Sequence, residues 1–269
     1  MKSADRLPVL FFGHGSPMIA LADNAVTRSW AAIAGRIRRP RAILSISAHW
    51  LTRGTAVTAM TEPPTIHDFG AFPQALFDVQ YPAPGDPELA ARVATLLAPT
   101  QVTLDTESWG LDHGTWSVLC KAYPNADIPV VQLSMDMSLS PAGHFEIGRR
   151  LRPLRDEDIL IIGTGNIVHN LRLMDWNNPA VAPYPWAQRF NDHIRRSVAL
   201  NQPALAVDFA SLGEDAALSV PSPDHYWPLL YVLGARYDDD DVSFGPDHIE
   251  HGSLSMTSVK LGRINFELV

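Results

Sequence analysis

Two apolar runs deliver a histidine at their ends. Leu7 to Pro17 reads LPVLFFGHGSP, and its β-favouring residues pass straight into a Gly-His-Gly turn around His14. Ala42 to Ala48 (AILSISA) does the same for His49, which Trp50 follows. Neutral imidazole is a good ligand for zinc, iron, copper or nickel, so two strand-end imidazoles suggest one shared metal centre. A single such histidine reads more simply as a strand cap bonded to a neighbouring carbonyl; the pair favours the metal. A third run, Asp158 to Thr164 (DILIIGT), enters the turn GTGNIVHN and places His169 a few residues on. The Walker lysine and the dinucleotide glycine spacing are both missing there, so this is read as an active-site turn and not a phosphate loop.

Other titratable groups sit at turns. His113 lies in WGLDHGTW, before the apolar run Ser117 to Ala122. Asp-His-Gly at such a place is either an Asx-type cap or a proton-carrying imidazole at a helix start. His67 and Asp68 fall in TIHDFGAFPQAL, where His67 reads equally as a pocket residue and as a brace bonded within its loop. His225 follows Pro223 and Asp224 in PDHYWPLL, which predicts a helix with His225 in its first turn. His144, Glu146 and His193 read as surface, capping or packing residues. The acidic run Asp238 to Asp241 reads as a solvated loop, since it lacks the alternating EF-hand pattern.

The elements that must hold these groups alternate between strand and helix. Helical spacing covers Asn24 to Ile37, Pro87 to Ala98 with Asp86 as N-cap, Ser140-Pro141 to Leu154, and Tyr184 to Leu200. Strand-like runs fall at 55–60, 102–104, 128–133, 253–259 and 264–269. Prolines 63, 64, 73, 82, 84 and 87 exclude a long helix or central strand from Glu62 to Pro87 and predict a long ordered loop, a kind that is usually functional. The pattern is α/β: a single domain with a central mixed β-sheet and helices on both faces, ligands binding at the strand ends. Residues 1–269 are read as one catalytic domain.

With 269 residues, 46% apolar and 19% charged, the chain can bury a sizeable core. A formal charge of −8 argues against nucleic acid and anionic membranes as general partners. The single cysteine, Cys120, excludes an intrachain disulfide and suggests a reducing compartment, and its apolar setting suggests a buried thiol. No secretory signal pattern and no run of membrane-spanning length is evident, so the expected location is cytoplasmic. Homo-oligomerisation is left open.

FFGHGSPMIAL, SAHWLTRGTAVTAM, PPTIHDFGAFPQALFDVQYPAPGDPELA, WGLDHGTW, IPVVQLSMD, GTGNIVHNLR and PDHYWPLLYVLGA together resemble the class III extradiol ring-cleaving dioxygenases, the LigB-like family, in its DOPA-dioxygenase-type branch. The blocks run in one order from about residue 7 to about residue 260, and seven in register are highly specific. The resemblance implies that His14, His49 and His225 are metal ligands. It implies that His169 is an acid/base histidine near enough to the metal to be a fourth ligand in a resting site. It makes His113 a second catalytic histidine of the pocket and places His67 and Asp68 in the substrate-binding wall. Many extradiol enzymes hold iron with two histidines and a carboxylate; here the third position is His225, with Asp224 beside it.

The activity so implied is oxygen-dependent opening of a DOPA-like catechol to a muconic semialdehyde, with Fe(2+) for turnover and Zn(2+) as a bound or resting ion. Zinc has no redox chemistry, so a zinc-loaded protein should be inactive in this reaction. Two rivals are a zinc-dependent hydrolase on the same fold and a non-catalytic metal-binding module. Extra proton carriers beside the ligands count against the second.

Overall fold

The computed structural model describes residues 6–263. Ten strands are present among them: β1 (Val9–Gly13), β2 (Ala42–Thr52), β3 (Thr55–Thr58), β4 (Val102–Asp105), β5 (Val130–Asp136), β6 (Ile159–Gly165), β7 (Val242–Phe244), β8 (Ile249–Glu250), β9 (Leu254–Ser255) and β10 (Val259–Leu261). The helices are α1 (Ala25–Gly35), α2 (Gln74–Phe77), α3 (Pro87–Leu97), α4 (His113–Ala122), α5 (Pro141–Leu151), α6 (Pro185–Ala199), α7 (Pro203–Val207), α8 (Glu214–Ser219) and α9 (Trp227–Gly234).

Eight strands form one mixed sheet in the order β4-β3-β5-β2-β6-β1-β10-β7, while β8 and β9 pair separately. The central four, β5, β2, β6 and β1, are mutually parallel. Their C-terminal ends therefore share one edge. They are buried on both faces, which is why they read as continuous apolar runs and not as alternating ones. Alternate residues serve different cores: Val9, Phe11, Leu44 and Ile161 face one side with α5, α6 and α9, and Leu10, Phe12, Ile43 and Ile162 face the other with α1 and α4.

Local signals set the helix starts. Asn24 and Thr27 form a reciprocal capping box at α1. Asp86, Asp112 and Ser140 accept from backbone N–H groups at the starts of α3, α4 and α5, with proline in the first turn of α3 and α5. The proline-rich segment is irregular apart from the single turn α2, as its composition predicts. No helix among the described residues is long and apolar enough to cross a membrane.

Four expectations need amendment, and a fifth is not tested. β2 does not stop at Ala48 but runs to Thr52, with a register shift between Ile46 and Leu51 that makes His49 part of a bulge. His225 precedes α9 in a turn and is not in its first helical turn. His144 is fully buried, not a surface group, because α5 packs against α9 and its Nδ1 meets the Tyr231 hydroxyl at 3.0 Å. Asp240 of the acidic run is buried in a two-pronged pair with the buried Arg155, at 2.6 and 2.9 Å, and is not solvated. The strand expected at 264–269 lies outside the described residues.

Candidate active site

The shared C-terminal edge of the parallel strands brings three imidazoles together. His14 follows β1 and is 2% exposed. Its backbone N–H donates to Gly165 at the end of β6, and its ring Nδ1–H donates to the Gly15 carbonyl at 3.2 Å. A carbonyl only accepts, so the lone pair is left on Nε2, which is buried with no partner. The Nε2 of His49 is likewise buried and unpartnered. His225 donates its Nδ1–H to Asp224 at 2.5 Å, which again leaves Nε2 as the free nitrogen.

One nitrogen from each of His14, His49 and His225 lies within 4.8 Å of the others. Leaving buried acceptors without donors costs about 1–3 kcal/mol each, a cost that a cation among them removes. The set therefore fits a metal ion of the imidazole-binding kind. Asp224 backs a ligand-type ring, the carboxylate–histidine arrangement common behind bound metals. Burial pushes Asp224 upward, but the hydrogen bond from His225 brings it well below the ordinary carboxylate range. Burial first, then the neighbouring imidazoles, holds His14 and His49 well below the usual histidine range, so both are neutral.

Two further imidazoles lie on this trio. His169 stacks on His225 with centroids 3.6 Å apart and planes 4° from parallel. Burial, and then His225, pushes it down to about 3 against an opposing contribution from Asp224. His113, the first residue of α4, lies 3.8 Å from His49 between centroids. Glycine at 114 permits this approach, since a Cβ there would come within 2.7 Å of the His49 ring.

Asp68 reaches His113 from the proline-rich segment, and the same carboxylate lies 3.9 Å from His49 Nδ1. His67 turns instead to its own loop, donating from Nε2 to the Val79 carbonyl at 3.0 Å. Its ring packs among Phe69, Phe77 and Trp116. The segment is pinned over α4 by Ile66 and Leu111, whose backbones bond at 2.9 Å, and by Trp116 Nε1 on the Ile66 carbonyl. The sequence-derived candidates thus gather at one place, with His67 braced within the proline-rich segment and the other six in the trio or beside it.

Sequence reasoning passed over Asn166. Its Nδ2 donates to the His14 carbonyl at 2.5 Å and to the Ser255 carbonyl at 2.8 Å, and its backbone N–H donates to the His225 carbonyl at 2.8 Å. It therefore ties the main chain of two of the three converging histidines to the end of β6. Gly165 beside it has no room for a side chain, because a Cβ would come within 2.1 Å of the His225 carbonyl. The signal was present in GTGN, as a polar residue ending a buried strand next to a glycine.

The chain is similar to known proteins along nearly its whole length. Residues 8–258 match the family described as the catalytic LigB subunit of aromatic ring-opening dioxygenase. The chain is 53% identical to the 4,5-DOPA dioxygenase extradiol of Escherichia coli K12 over 264 residues, 97% of each protein. It is 35% identical to the Beta vulgaris protein of the same name, covering 97% of this chain and 98% of that one. A crystal structure of an uncharacterized Escherichia coli K12 protein, 48% identical, superposes with a TM-score of 0.84 over 96% of this chain and 100% of that one.

Proposed function

Because the chain belongs to the LigB family of aromatic ring-opening dioxygenases, we propose that it opens the ring of a DOPA-like catechol with O2, giving a muconic semialdehyde. The observation that carries this reading is the trio of His14, His49 and His225 with two more imidazoles in ring contact. A plain binding site has no use for two extra proton carriers.

In this reading His14, His49 and His225 hold the ion, and His169 beside them is near enough to add a fourth donor in the resting site without being needed to hold it. Fe(2+), when bound, supplies the redox chemistry that couples a catecholate to dioxygen, and redox-inert Zn(2+) is a resting ion for the same imidazoles. His169 takes a phenolic proton as the catechol enters, and His169 or His113 returns one as the ring opens; imidazole suits both directions. Phe69 and the wall braced by His67 and Asp68 give the flat ring an apolar face and keep bulk water out.

Residues 1–269 are read as one catalytic domain acting on small molecules, the catechol and O2. The charge of −8 supports a protein without nucleic-acid or membrane partners. A lone Cys120, whose thiol burial pushes up to about 11, supports a reducing, cytoplasmic setting. The test is product analysis with DOPA and with catechols lacking its side chain. A yellow ring-opened product with one O2 consumed per ring is expected, and oxygen consumption that leaves the ring intact would contradict it.

A further inference from the structure

We propose that Asp68 is the positioning residue of His113, fixing both the tautomer and the angle of its ring so that Nε2 is the nitrogen that exchanges protons with substrate. This inference rests on the reading of the site as a ring-opening centre.

Asp68 binds His113 twice, across 45 residues of sequence. Its Oδ1 accepts the backbone N–H of His113 at 2.9 Å, and its Oδ2 accepts from the ring Nδ1 at 2.9 Å. The first bond satisfies an amide of the first turn of α4, one of those a helix cannot satisfy internally. The helix's own cap does not do this, because Asp112 is spent on the Thr115 N–H at 3.1 Å. The second bond decides the tautomer. A carboxylate only accepts, so Nδ1 carries the hydrogen and the lone pair falls on Nε2. Among the described residues Nε2 has no protein partner, and it is not among the closed-off buried atoms.

The two bonds hold the residue at both ends, main chain and ring. His49 covers the imidazole at 3.8 Å, and Phe69, the residue after Asp68, meets it edge-on at 5.5 Å. The choice of His113 over His49 is geometric: Asp68 is at hydrogen-bond distance from one and at 3.9 Å from the other. Burial pushes the Asp68 carboxyl upward, yet its bonds to His113 bring it below the ordinary range, so the acceptor is ionised. The proline-rich segment therefore acts as more than a cover, since it carries the group that orients a proton carrier on a different element.

Asp68→Asn separates this role from simple packing. The amide oxygen can still take the backbone N–H, but its NH2 then faces Nδ1 and demands the opposite tautomer. Nitrogen-15 NMR of imidazoles in the full chain loaded with diamagnetic Zn(II), with the His113 signals identified by their loss in His113→Gln, reads the tautomer directly. The wild type is expected to show Nδ1–H and Asp68→Asn to show Nε2–H. With Fe(II), kcat of that variant should fall by about 10²-fold or more, the range of one proton-transfer group, with little change in KM. Asp68→Glu should recover part of the rate and the wild-type tautomer. An unchanged tautomer, or full kcat, in Asp68→Asn would overturn the assignment. A tautomer switch on going from wild type to Asp68→Asn, in a protein whose wild type consumes no oxygen, would uphold the positioning role and overturn the catalytic reading instead.

Discussion

The rings of His169 and His225 lie face to face, 3.6 Å between centroids and 4° from parallel. His225 is fixed from behind by Asp224, so the stack places His169 at a set height beside the trio without making it part of the trio. Removing His169 should therefore leave the metal in place. His169→Gln is expected to keep stoichiometric metal by elemental analysis while kcat falls by about 10²- to 10⁴-fold, the range for a general acid or base. In contrast, His14→Ala, His49→Ala and His225→Ala should each lose metal. Retained stoichiometric metal in any of these three would remove that residue from the ligand set.

Asn166 holds the backbones of His14 and His225 to the end of β6. Asn166→Ala is expected to weaken metal affinity by about 10- to 100-fold, the usual effect of losing an outer-sphere partner. Competition with a chelator measures it, and an unchanged affinity would show that the glycines alone set the spacing.

His144 provides a pH test outside the trio. Burial pushes it from 6.5 down to about 4, against a smaller opposing effect of Asp136. Because its folded value is depressed, the unfolded chain takes up the proton first as pH falls. Its contribution is thus full above about 6.5 and is lost on the way down to about 4. At about 1.4 kcal/mol per pH unit the loss reaches about 3 kcal/mol. His144→Gln cannot titrate, so any deficit it has in urea midpoint at pH 7 should shrink or reverse by pH 4.5. A constant gap across that range would contradict the assignment.

The buried Arg155–Asp240 pair joins the start of β6 to the β7–β10 edge, with Arg155 also donating to the Leu7 and Ala235 carbonyls at 2.8 and 2.7 Å. Asp240→Ala leaves a buried guanidinium without its counter-charge. The expected cost is about 3–5 kcal/mol in unfolding free energy. A loss below about 1 kcal/mol, typical of an exposed pair, would show that water reaches the guanidinium.

The sequence made visible whatever is local. His14, His49 and His169 were legible because buried parallel strands are unbroken apolar runs, and the edge where they stop is where ligands bind. Asp86, Asp112 and Ser140 were legible as caps. What escaped depends on partners distant in sequence. His144 is buried only because α9 covers α5, and Asp240 leaves the solvent only because Arg155 lies 85 residues away. His49 was placed at a strand end because the bulge that aims it does not interrupt the apolar pattern. Asn166 escaped because its partners are main-chain carbonyls distant in sequence, so GTGN marks a polar residue at the strand end without showing what it binds.

The most direct test of the central claim is oxygen uptake with DOPA by metal-free protein reconstituted anaerobically with Fe(II) or with Zn(II). The expected result is uptake and a yellow ring-opened product with iron alone, and none with zinc. No uptake with either ion, in protein whose trio binds metal, would contradict a ring-opening dioxygenase.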